Sequence, residues 1–186
     1  MLHRFRTPKH SPHRIEVFVD RLDQLFNSMD PSPFPDKDLD DDAEEFIISW
    51  ARELPRKDPI YLVVHVNEFP AVRDIQRNVE TSVRHYFAYR ANIKRLEFRH
   101  LLKQGRASLV IGLVFLGACL VTSQLLLRNS ENTLATVFRE SLTIGGWVAM
   151  WRPMEIFLYE WWPLRRMGQL LEKLSHMHVE VRKRGN

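Results

Sequence analysis

The order of apolar and polar positions divides this chain into a polar first half and an apolar later part. Ala107 to Leu127, reading ASLVIGLVFLGACLVTSQLLL, contains no charged residue. At helical rise such a run covers about 30 Å, the hydrocarbon thickness of a bilayer. It predicts a transmembrane helix. After the polar stretch Arg128 to Thr133 (RNSENT), a second apolar segment runs from Leu134 to Leu164, broken by Arg139, Glu140, Arg152, Glu155 and Glu160. The two segments together predict a transmembrane hairpin.

Upstream, Ile15, Val17 and Val19 alternate with Glu16, Phe18 and Asp20, the period of a strand. Ile15, Val19, Leu22, Phe26 and Met29 also fit a helix opened by Ser11-Pro12. The β-branched and aromatic content favours the strand, with a helical turn after it. The prolines of Asp30 to Pro35 stop any regular element. Ala43, Phe46, Ile47, Trp50 and Leu54 then mark one helical face that ends at Pro55, and Asp41 with Glu44 suggests a capping box. Ile60 to Val66 (IYLVVHV) reads as a strand buried on both faces. From about Val72 a long polar helix carries the stripe Ile75, Val79, Val83, Tyr86, Phe87, Ile93 and Leu96. Gly105 weakens it without breaking it.

The expected fold class is α/β: a small strand–helix–strand–helix cytoplasmic domain plus a two-helix transmembrane hairpin. The boundaries are a basic leader (1–13), the α/β domain (14–71), the long polar helix (72–106), the hairpin (107–164) and a basic cytoplasmic tail (165–186). A two-stranded sheet has open edges and is too thin to stand alone, which predicts oligomerisation.

Charge sets the expected orientation. Basic residues crowd Arg90 to Arg106 and Arg165 to Arg184, while the intervening loop holds only Arg128. The positive-inside rule then puts both termini in the cytoplasm and the loop outside. The leader, MLHRFRTPKHSP, has no apolar core for secretion. The sole cysteine, Cys119, lies within the apolar run and reads as a small packing residue.

The second segment admits two placements. In the favoured one the span runs from about Leu142 to Pro163, with Arg152 and Glu155 near the bilayer middle. In the other it runs from about Leu134 to Glu155, and IFLYEWWP lies along the surface. A lone charge at depth costs about 3 kcal/mol, so Arg152 must pair with Glu155, three residues away on the same helix face. Arg152, Glu155, Tyr159 and Glu160 form the expected polar membrane site. Trp161, Trp162, Arg165 and Arg166 are the expected interface anchors. Pro153 removes a backbone donor and frees a carbonyl. Ser108 with Gly112, Ala118 with Thr122, and Gly145 with Ala149 are small pairs that permit close helix approach.

Other chemistry finds little footing. The acids Asp36 to Asp42 lack the glycine and terminal glutamate of a calcium loop and read as helix capping. His3, His10 and His13, and separately His176 and His178, lack ligand spacing. No catalytic, metal or cofactor site is expected, and the protein is expected not to be an enzyme. The basic stretches flank apolar segments and point to anionic lipid headgroups rather than nucleic acid.

Four stretches carry a resemblance: LFNSMDPSPFPDKDLDDDAEEFIISWARELP, HYFAYR, GRASLVIGLVFLGACL and GWVAMWRPMEIFLYEWWPLRR. They resemble small bacterial two-span membrane proteins of uncharacterised activity. The resemblance implies a bacterial inner membrane and transfers no catalytic residue. The expected function is a non-enzymatic accessory or scaffold subunit that assembles with itself or within a larger membrane complex. The alternative is an oligomeric transport or channel component that uses the charges of the second segment.

Overall fold

A computed structural model describes residues 14–33, 36–55, 58–68, 74–127 and 133–184. The basic leader with His3, His10 and His13 lies outside the described residues, as does the loop 128–132. The chain forms two compact units. One comprises Met1–Ile93 with Met167–Asn186, and the other comprises Lys94–Arg166.

The first unit is built on a three-stranded parallel sheet in the order β1-β2-β3. The strands are β1 (Arg14–Arg21), β2 (Tyr61–Glu68) and β3 (His178–Lys183). Alternation decides which side chains face inward. Ile15, Leu62 and Val179 are in register and fully buried, as are Val17 and Val64 one step on. Helix α1 (Asp41–Glu53) adds Ala43, Ile47 and Ala51 to this core. Helix α2 (Ile75–Leu127) adds Ile75, Val79, Val83 and Phe87, and α5 (Trp161–Ser175) adds Leu171 and Leu174. All three helices thus cover one face of the sheet. The other face carries Glu16, Phe18, Val63, His65 and Glu180, and of these Val63 is buried.

Several local choices fix these elements. Asp40 caps α1 by accepting a hydrogen bond from the Asp42 N–H at 3.2 Å. The predicted cap pair Asp41 and Glu44 is therefore displaced by one residue, and Glu44 turns inward instead. A short 3-10 turn, Leu22–Leu25, follows β1. On α2, Arg84 Nε donates to the Met177 carbonyl at 2.9 Å, where the chain turns from α5 into β3.

In the second unit α2 runs unbroken through Gly105. Its 53 residues end at Leu127. The return limb is broken. Helix α3 (Thr133–Ala149) stops at a turn on Met150, α4 is only Trp151–Glu155, and Ile156–Glu160 forms a π-turn before α5. Two prolines account for the breaks. Pro153 has no N–H to offer the Ala149 carbonyl, and the Pro163 ring crowds the carbonyl four residues earlier, which a wider π-turn relieves.

This architecture corrects the expected fold class. The protein is mostly helical, with one very long helix and a three-stranded sheet, not a two-helix hairpin beside a strand–helix–strand–helix domain. Among the described residues, α2 is the helix long and apolar enough to cross a membrane. The expected basic tail, 165–186, is largely α5 and β3. Its buried Leu171, Leu174, Met177 and Val179 recur at helical and then strand spacing, and the run of basic residues masks that pattern.

The C-terminal segment is thus a core element. Leu174→Ala is expected to destabilise the first unit by about 2–5 kcal/mol, the usual cost of emptying a fully buried leucine site. Urea unfolding of the detergent-solubilised protein measures it. A free tail would leave the midpoint unchanged.

Candidate functional site: an apolar band with a charged rim

In the second unit α2 and the return limb pack antiparallel along small residues. Gly105, Gly112 and Cys119 are spaced by seven and are buried, as is Ser123 one turn beyond. Gly112 lies against the break in the return limb. A Cβ there would come within 3.1 Å of the Ala149 carbonyl oxygen and of Met150 Sδ. The carbonyl that Pro153 leaves without a donor therefore lies over a glycine that admits it. Gly146 meets Leu116 and Cys119, where a Cβ would fall 2.8 Å from Leu116 Cδ1. Gly105 faces Ile156 and Phe157.

The seam differs from the predicted small pairs. Gly112 belongs to it, but a Cβ at Gly145 would meet nothing within 4 Å, and Gly146 packs in its place. The spacing that matters is seven, the repeat that keeps one face of a long helix against an antiparallel neighbour. Cys119 fills the role expected of it, a buried packing residue.

The outward faces of both limbs are mostly apolar and bare, with Arg139 and Glu140 as exposed charges on α3. On α2, Ile111 is 69% exposed, Val114 68% and Leu125 77%. On α3, Ile144, Trp147 and Val148 are each 64% exposed. A water-soluble monomer rarely exposes a contiguous apolar patch above a few hundred Å². This band includes one helix long and apolar enough to cross a membrane.

The seam also sets the depth of the charges. Gly112 faces Ala149–Met150 and Gly105 faces Ile156–Phe157, so Glu155 is level with Ala107, where the charge-free run begins. Arg152 lies about one turn inside that edge and Glu160 more than one turn outside. Arg152 and Glu155 are therefore at the rim of the band, beside the start of the charge-free run of α2.

At the rim three of the four expected site residues come together. Arg152 Nη1 donates to Glu155 Oε2 at 3.0 Å and also to Glu160 Oε1. Residues eight apart on a regular α-helix point in different directions. A π-turn rotates each residue by roughly 20° less than an α-helix does, which swings Glu160 back beneath Arg152. Tyr159 is not part of the cluster and is 71% exposed. The expected anchors are ordered by their own contacts. Trp161 Nε1 donates to the Phe157 carbonyl at 2.7 Å, inside the π-turn. The Arg166 guanidinium stacks 4.2 Å over the Trp162 ring, and Arg165 sits 5.9 Å over Trp161.

A second polar cluster lies in the first unit, and the sequence pattern did not flag it. Glu44 is buried on α1. Its carboxylate accepts from the Tyr86 hydroxyl at 2.6 Å and from Arg90 Nε at 2.9 Å, both on α2. Burial first, and the hydrogen bond to Glu44 second, push the Tyr86 hydroxyl pKa well above its ordinary value. The interval Glu44 to Arg90 is too long for sequence spacing to reveal. The available signal was a glutamate on an otherwise apolar helix face. Nearby, Asp30 accepts from the Ser32 N–H at 2.9 Å and the Asp38 N–H at 2.7 Å, and these bonds hold its pKa low. The acidic run thus organises its own loop and caps α1. Among the described residues no cluster of metal-ligating side chains occurs.

Two measurements check this account. Gly112→Val is expected to separate the limbs at Ala149, because a Cβ that meets a backbone carbonyl has no flexible neighbour to displace. An overpacked site of this kind costs about 1–3 kcal/mol. Steric-trap or SDS unfolding in micelles reads the loss, and Gly145→Ala is expected to be neutral. Separately, a raised tyrosine pKa means that the folded state holds its proton more tightly than the unfolded one. Its contribution is fully present below pH ~10 and is lost as pH rises towards the folded value. Melting curves at pH 9 and pH 11 are expected to show a steeper alkaline loss in the native protein than in Tyr86→Phe. Equal slopes would contradict the assignment.

No protein-family model, curated protein or solved structure matches this chain. The reading of its function therefore rests on the band, the rim and the sheet.

Proposed function

We propose that this protein is a non-enzymatic membrane accessory or scaffold subunit, assembling with itself or within a larger membrane complex. The observation that carries the reading is the bare apolar band on both limbs of the second unit, joined through continuous chain to a sheet domain. The setting we propose is a bacterial inner membrane, with both termini on the cytoplasmic side. The sheet supports a common side for the two ends. β1 and β2 precede the apolar run, β3 follows it, and β3 pairs with β2. Chain that enters a bilayer through α2 must also come back. Arg99, Lys103 and Arg106 border the band on α2, and Arg165 and Arg166 lie beyond its rim on α5. They suit anionic lipid headgroups on the cytoplasmic face.

Arg152 is held by two carboxylates at the rim, which weighs against an ion path through the second segment. Nothing in the described residues assembles a nucleophile, a general base and an oxyanion site.

Membranes from an expressing bacterium, washed with alkaline carbonate, are expected to retain the protein. Native mass spectrometry in mild detergent is expected to show a multiple of the chain mass or a stoichiometric complex. A strictly monomeric, partner-free species at every concentration would overturn the assembly reading. Ion flux in proteoliposomes that Glu155→Gln abolishes would favour transport instead.

A further inference from the structure

The two edges of the sheet differ. The His178 N–H donates to the Ile60 carbonyl and the Arg184 N–H to the Val66 carbonyl. The even-numbered residues of β3 therefore face β2, and the odd ones face outward. That outer edge is closed by one side chain of α2. Gln76 Nε2 donates to the Val179 carbonyl at 2.5 Å, and Gln76 Oε1 accepts from the Val181 N–H at 2.8 Å. The amide fork reproduces the bonds of a neighbouring strand.

Among the described residues the β1 edge has no such cover over its middle. Residues 60, 62, 64 and 66 of β2 turn to β3, so 61, 63 and 65 turn to β1. Val63 is opposite Glu16 in the parallel register and bonds the residues flanking it, Ile15 and Val17. The backbones of Glu16 and Phe18 therefore point outward. Gln24 Oε1 ends the edge by accepting from the Asp20 N–H at 3.0 Å and the Arg21 N–H at 3.4 Å. Among the described residues the outward N–H and C=O of Glu16 and Phe18 have no partner. An uncovered strand edge is a template for another strand.

We propose that this edge binds the β1 edge of a second copy of the chain, antiparallel about a two-fold axis through Val17, to give a continuous six-stranded sheet. The inference rests on the assembly reading above and names its surface. Three two-fold registers satisfy the outward backbone groups, centred on residue 16, 17 or 18. Centring on residue 16 sets Glu16 against the partner subunit's Glu16. Centring on residue 18 sets Glu16 against the partner subunit's Asp20. Like charges directly opposite are unfavourable. Centring on Val17 sets Arg14 against the partner subunit's Asp20, twice over, and Glu16 against the partner subunit's Phe18. Charge complementarity thus selects one register. Asp20 is already oriented by the Asn67 side chain, which donates to it at 2.6 Å. Two paired edges make a small interface, and confinement to one membrane lowers the entropic cost of forming it.

Cross-linking and charge exchange test it on the full-length protein. With Cys119→Ala as background, Val17→Cys places one thiol from each copy at a non-hydrogen-bonded antiparallel pair, about 4.5 Å apart at Cα and within disulfide range. Mild oxidation in native membranes is expected to give a covalent dimer from Val17→Cys and none from Ile15→Cys. Arg14→Asp and Asp20→Arg, each alone, are expected to weaken the dimer roughly tenfold, and the double exchange to restore it. A native dimer that fails to cross-link at residue 17 and ignores both charge changes overturns the inference while leaving the assembly reading intact. A single copy held in a complex with other subunits overturns the inference alone, and a monomeric, partner-free chain removes both.

Discussion

The pairing of β3 with β2 is the constraint on which the rest of this structure depends. Residues 178–183 bond to 61–66 only after the chain has left the first unit through α2 and come back through α5. The central strand of the sheet therefore joins parts of the chain separated by the whole apolar segment. Loop-closure entropy rises slowly with length, so closing such an excursion costs little more than closing a short one. What offsets that cost is burial. Val179, Leu174 and Leu171 complete a core that β1, β2 and α1 would leave open on one side. Polar side chains of α2 then lock the returning strand, Arg84 at its entry and Gln76 along its edge.

The second unit solves a different problem with the same economy of parts. A proline within a helix strands a carbonyl by removing its backbone donor. Here the Ala149 carbonyl ahead of Pro153 lies against Gly112, and the Trp161 indole donates to the Phe157 carbonyl within the π-turn. The π-turn that accommodates Pro163 also carries Glu160 round to Arg152. One steric fault thus produces both the kink and the ion-paired cluster. The seven-residue spacing of Gly105, Gly112 and Cys119 brings the limbs close enough to fix that cluster at the rim.

The first unit shows how a chain divides its exposed surfaces between protected and available. The β3 edge is basic and closed by Gln76. Among the described residues the β1 edge keeps two residues of bare backbone between Arg14 and Asp20. Helices cover one sheet face, while the other presents Phe18 stacked on His65 at 4.5 Å. Parallel sheets are usually covered on both faces.

Local patterning was legible in the sequence wherever it depended on neighbours along the chain. The alternation of Ile15, Val17 and Val19 marked β1, and IYLVVHV marked β2, buried at Leu62 through Val64. The charge-free run from Ala107 marked the apolar half of α2, and the spacing of Arg152 and Glu155 marked an ion pair that forms. What the sequence hid depended on residues brought together from far apart. The strand HVEVRK is half charged, so its alternation reads as a basic tail until β2 is beside it. Glu44 reads as a capping residue until Tyr86 and Arg90 arrive from α2. Glu160 joins Arg152 only because a π-turn changes the helical phase, and no period anticipates that. By itself the sequence determined which segments are apolar and that one of them is long enough to cross a membrane, because these follow from side-chain chemistry. Only the tertiary structure decided that the C-terminal segment closes the sheet, that the charges sit at the rim, and which strand edge stays open, because each requires contacts between positions that no local pattern connects.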